Sequence, residues 1–88
     1  MKNKTAYDPS LTDADQSVLI IIDVQQEFLD KLDRDQWIPM VNRISWITEM
    51  AGRFEIPVVA TVEDREHNQG TVRQVAEKLS PGISEYNK

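Results

Sequence analysis

Hydrophobic positions along the chain come in two rhythms, continuous and spaced. From Val18 to Val24 apolar residues run unbroken except for Asp23, and β-branched side chains dominate. A short continuous run of this kind predicts a strand covered on both faces, as in a parallel sheet. A charged connection follows at 30–35. Trp37, Met40, Val41, Ile44, Ile47, Ala51 and Phe54 then recur at steps of three and four, which predicts a helix with one apolar face. Trp46 and Met50 widen the stripe. Asp35 is placed to cap the start of this helix by accepting a backbone N–H, with Pro39 close enough behind it to be tolerated in the first turn. Gly52 weakens the last turns modestly.

Pro57 ends the helix, and "PVVATVE" predicts a second strand, again continuous and β-branched. "DREHNQG" reads as a polar loop. Residues 71–79, "TVRQVAEKL", predict a shorter helix with Val72, Val75, Ala76 and Leu79 on one face, stopped by "SPG" at 80–82. The tail "ISEYNK" reads as the start of another extended segment. Residues 1–16 show no period and form an irregular arm. The order β, α, β, α describes a right-handed βαβ unit with parallel strands. Two strands do not make a self-sufficient sheet of this type, and two helices cannot cover both of its faces. Residues 17–88 therefore read as the first β-α-β-α portion of a larger α/β domain.

Composition narrows the function classes. The 88 residues are 40% hydrophobic and 28% charged, so a small core is expected. A formal net charge of −5 weighs against nucleic acid as a main partner, because phosphate contacts need basic surface. No basic amphipathic stretch suggests a membrane surface, and no apolar run is long enough to span one. With no signal-peptide pattern at the start, a cytoplasmic protein is the expectation. There is no cysteine, which rules out a disulfide, cysteine-ligated zinc or a thiol nucleophile within these residues.

In open parallel sheets ligands bind beyond the carboxyl ends of the strands. Asp23 stands at that end of the first strand, and Glu63 and Asp64 at that of the second. An acid at the edge of an apolar sheet is partly desolvated, which raises its pKa and suits it to proton transfer; the plainer alternative is that Asp23 caps the following turn. Glu63, Asp64 and His67 match no standard metal-ligand spacing, and a solvated loop accounts for them better. Gly70 and Thr71 open a helix, for which a simple turn suffices. Trp37 and Trp46 read as core or interface residues.

"LIIIDVQQEF" resembles the opening motif of the isochorismatase-like cysteine hydrolases: an apolar strand, then D-x-Q-x-x-F. The resemblance extends through the amphipathic helix, "IPVVATVED" and the short helix ending in "SPG", nearly all of residues 17–88. It implies a Rossmann-like three-layer α/β/α fold with a central parallel sheet, often oligomeric. It also implies hydrolysis of a small-molecule amide or vinyl ether by an Asp, a Lys and a Cys, without a cofactor. The family's Asp would be Asp23, a general base toward the thiol and then a proton shuttle. Gln25 and Phe28 would lie near the pocket. "ISEYNK" puts Lys88 at about the place of the family's lysine. Three departures stand out. The nucleophilic cysteine, which belongs to the second half of the family domain, is absent from these residues. Glu63 and Arg65 fall where nicotinamidases carry metal ligands, so no metal is expected. Glu55 stands where the family often has a glycine, so the usual left-handed helix cap is expected to be missing.

These readings lead to two expectations of function. The first is a truncated or partial isochorismatase-family hydrolase, inactive alone, whose small-molecule substrate needs the missing half. The second is a non-catalytic interaction module that keeps the fold and pairs with itself or with a partner chain.

Overall fold

The computed structural model describes residues 13–81, 83 and 85–88. Most of the expected arm, residues 1–12, and Gly82 of the expected stop signal lie outside the described residues. The described part of the arm is not wholly irregular. A single 3₁₀ turn covers Ala14–Gln16, capped by Asp13, whose Oδ1 accepts from the Asp15 N–H at 3.0 Å.

The element order is β1 (Leu19–Ile22), α1 (Gln26–Leu29), α2 (Arg34–Arg53), β2 (Val58–Val62), α3 (Arg65–Asn68), α4 (Arg73–Ala76) and β3 (Glu85–Asn87). The strands form one parallel sheet in the order β1-β2-β3. This is an α/β fold, a small portion of a Rossmann-like architecture. The tail does begin an extended segment, so the portion holds three strands rather than two. The expected second helix shrinks to the single turn α4, followed by turns to Leu79, and the expected polar loop contains α3.

Register sorts the side chains by face, because neighbours in a parallel pair share a side and successive residues alternate. Ile21 pairs with Ala60, and Ala60 with Glu85; Ile22 pairs with Thr61, and Thr61 with Tyr86. Ile21 and Ala60 lie under the helices in a core with Leu29 of α1, Val41 of α2, Val72, and Val75 of α4. The opposite face is open among the described residues: Val18, Ile20, Ile22 and Tyr86 are all more than half exposed. The expectation that both strands are covered on both faces therefore holds for one face only. All three helices that reach the core do so from the same side.

The helix α2 corrects three details. Its N-cap is Asp33, whose side chain makes no capping bond; Asp35 lies inside the first turn, where its charge favours the helix dipole. Pro39 falls in the second turn, where it withholds the N–H that Asp35 C=O would accept. The buried face is Trp37, Val41, Ile44, Thr48 and Ala51, while Met40, Ile47 and Phe54 are exposed. Thr48 is polar yet 1% exposed, because its hydroxyl donates back to Ile44 C=O at 2.7 Å.

The left-handed helix cap expected to be missing is present. Glu55 itself adopts φ 58°. Its N–H reaches Gly52 C=O at 3.2 Å, and the Ile56 N–H reaches Ala51 C=O at 2.8 Å. Those two bonds make a Schellman closure with a glutamate in the position that favours glycine. The turn needs the conformation whether or not a glycine supplies it.

Candidate functional site

The carboxyl edge of the sheet gathers the polar residues. The backbone of β1 extends to Asp23, whose N–H donates to Thr61 C=O at 3.0 Å. There the chain turns, with Asp23 at φ 52°. Strict alternation would send the Asp23 carboxylate to the covered face. Instead it joins Thr61, whose register partners Ile22 and Tyr86 lie on the open face. Asp23 Oδ1 accepts from the Thr61 hydroxyl at 2.9 Å, and Oδ2 accepts from Lys88 Nζ at 2.7 Å.

Lys88 follows β3 directly. Its N–H donates to Val62 C=O at 2.8 Å, and its C=O accepts from the Asp64 N–H at 3.2 Å. Its side chain crosses the end of β2 to reach Asp23, since β1 and β3 flank β2 at roughly 4.8 Å on either side. The lysine side chain is about half exposed and the Asp23 carboxylate about one-fifth. A ligand approaching from the open face can therefore reach both.

The hydrogen bond from Lys88 holds the Asp23 carboxyl below the ordinary carboxylate value; partial burial opposes this, and the Thr61 hydroxyl and the lysine charge add to it. The direction reverses the expectation of a raised pKa. Desolvation at the sheet edge is real but weaker than the cation it faces. Asp23 is thus an ionised base rather than a stored acid.

The other expected site residues fall elsewhere. Gln25 is fully buried, and its side-chain amide is engaged with the backbone of the 63–69 loop rather than turned toward a pocket. Phe28 is half-buried on α1, with Lys31 Nζ 5.4 Å above its ring. His67 Nδ1 lies 2.9 Å from Asp64 Oδ1, on an exposed turn; that hydrogen bond and the Asp64 charge raise its pKa. Among the described residues, no three His, Cys, Asp or Glu side chains are grouped to hold a metal ion. No described helix is long and apolar enough to cross a membrane.

Sequence reasoning passed over Thr61. The signal was available: a hydroxyl one strand away and level with the acid's predecessor. It also missed a second polar lock. Glu85, at the start of β3, pairs with Arg65 and accepts from the Thr71 N–H at 2.6 Å. Gly70 leaves room for this lock, since a Cβ there would stand 2.9 Å from Glu85 Oε1.

No protein-family model matches this chain, and no curated protein does. Among solved structures, that of the MAR1 ribonuclease from Caenorhabditis elegans is similar with a TM-score of 0.74 at 20% sequence identity. The match covers 88% of this chain and 39% of that one, so this chain spans about two-fifths of its neighbour's length. At that identity the likeness is one of fold.

Proposed function

We propose that this chain supplies the acid and the lysine of an isochorismatase-like hydrolase site, with the nucleophilic thiol coming from outside these 88 residues. The Asp23–Lys88 pair carries the reading. The D-x-Q-x-x-F stretch and the tail stand 65 residues apart, yet they meet in one ion pair at the carboxyl edge of the sheet. In such a site Asp23, kept ionised by Lys88, takes the proton of the thiol and returns it to the leaving group. The Lys88 charge favours the thiolate. The substrate class is a small molecule with an amide C–N or a vinyl-ether bond. The activity named for the structural neighbour is not carried over, because a net charge of −5 is the wrong sign for a phosphate-rich substrate.

The purified chain is expected to turn over neither amide nor vinyl-ether substrates. Joined to the thiol-bearing second half of an isochorismatase-family hydrolase, it is expected to restore turnover. Asp23→Asn in that protein should then lower kcat by about 100-fold or more. Turnover by the chain alone that Asp23→Asn abolishes would overturn the reading.

The open sheet face favours a second reading. Val18, Ile20, Ile22 and Tyr86 expose apolar surface where a three-layer fold would place helices. A non-catalytic module that pairs with itself or with another chain would hide it. Sedimentation at micromolar concentration tests this, and a well-folded monomer counts against it. Both readings take the chain to act in the cytoplasm.

A further inference from the structure

Gln25 stands two residues beyond Asp23 and is 0% exposed. A buried primary amide is costly unless its donors and acceptor are met. Here they are met by backbone. Gln25 Oε1 accepts from the Glu63 N–H at 2.8 Å. Gln25 Nε2 donates to Glu63 C=O at 3.0 Å and to Gln69 C=O at 2.8 Å, with Asn68 C=O at 3.5 Å. One side chain thus bonds both polar groups of Glu63, as the peptide of a neighbouring strand would.

The position of this contact explains it. The backbone of β1 leaves the sheet at Asp23, with φ 52°. Glu63, the residue that follows β2, has no backbone partner on that side among the described residues. The Gln25 side chain supplies the missing rung. The same amide reaches Gln69, so both ends of the 63–69 loop are tied to one residue.

That loop in turn holds the end of β3. The Asp64 N–H donates to Lys88 C=O at 3.2 Å, and the Arg65 N–H to Asn87 Oδ1 at 3.0 Å. Gln25 therefore links the backbone that carries Asp23 to the backbone that carries Lys88. We propose that Gln25 is a positioning residue for the Asp23–Lys88 pair: its amide replaces the missing rung beside Glu63 and so sets the loop that keeps Lys88 within reach of Asp23. The inference rests on the reading of that pair as the acid and lysine of the site, and it gives Gln25 a role without substrate contact.

Carbon-detected NMR titration of Asp23 in the full chain tests it, read at the pH values where dispersed backbone signals show the chain folded, so that the signal follows the ion pair and not unfolding. In the unaltered chain the Asp23 midpoint should lie below the ordinary value of 3.8. Gln25→Met keeps the volume and removes the amide; it should raise the midpoint toward 3.8. Thr48→Val removes another buried hydrogen bond, far from the loop, and should leave the midpoint in place. A folded Gln25→Met chain with the midpoint unmoved would overturn the proposal. Where Gln25→Met does not fold, the exposed Asn87→Ala decides. It cuts one loop-to-strand bond and should raise the midpoint by a smaller amount, and no change there would overturn the proposal equally. The titration needs no thiol and no substrate, so its outcome is separate from that of the hydrolase assay.

Discussion

On one face of the sheet, Ile21 and Ala60 lie under three helices and are at most 3% exposed. On the other, Ile20 and Ile22, chemically the same, are 52% and 62% exposed. The residues do not distinguish the faces; the helices do. Helix α2 returns the chain on one side only, and α1 and α4 join it there. The consequence for chemistry is that the packed face holds the fold together while the Asp23–Lys88 pair sits at the rim of the unpacked one. A site built there is open to whatever approaches that face.

The sharpest way to break this contrast is to truncate one isoleucine from each side. Ile21→Ala should cost about 2–5 kcal/mol, since it removes core volume and leaves a cavity. Ile22→Ala should cost less than about 1 kcal/mol. Urea unfolding midpoints measure both. Equal losses would mean that the open face is covered in solution, and the contrast would then belong to the isolated chain alone.

A smaller effect sharpens the packed side. Glu55→Gly should stabilise by about 1 kcal/mol, because the Schellman turn that returns α2 to β2 holds Glu55 in the left-handed region. The same unfolding measurement reads it, and a loss of stability would show that the turn does not hold this conformation.

The smallest effects belong to the rim and depend on pH. Lys88 lowers the pKa of Asp23, so the pair's contribution is present above the ordinary value of 3.8 and lost as pH falls through the lowered one. Lys88→Met should remove that dependence. His67 runs in the opposite sense. Its pKa is raised by Asp64, so its contribution is present below 6.5 and lost as pH rises through the raised value. Unfolding of Lys88→Met and His67→Ala beside the unaltered chain, across pH 2–9, separates the two. Both groups face solvent, so the differences should be slight and should shrink with added salt.

The first two strands and the long helix were legible because continuous β-branched runs and a 3.6-residue stripe are local signals, whereas β3, Glu85–Asn87, carries no such run. Which face each strand would bury was not, because the same run serves a strand covered once or twice. Thr48 shows why the stripe itself was misplaced: a threonine that satisfies its own hydroxyl inside the helix packs like an apolar residue. At the rim, Asp23 could be singled out from its place after an apolar run, and Lys88 only through the family resemblance. Thr61 and Gln25 depended on register between distant segments, which no local pattern encodes. The direction of the Asp23 pKa was misjudged for the same reason, since its governing neighbour is 65 residues away.

That separation has a consequence for how the molecule assembles. The Asp23–Lys88 contact joins residues 65 positions apart, and closing a loop costs entropy that grows with its length. A half-exposed ion pair cannot offset that cost alone. The contact therefore forms only after β2 has joined β1 and has in turn received the three residues of β3. Folding order makes the pair a late event, built on contacts that β2 and β3 have already made. The pair thus depends on the parallel pairing of β3 with β2, and any opening of that pairing separates Lys88 from Asp23.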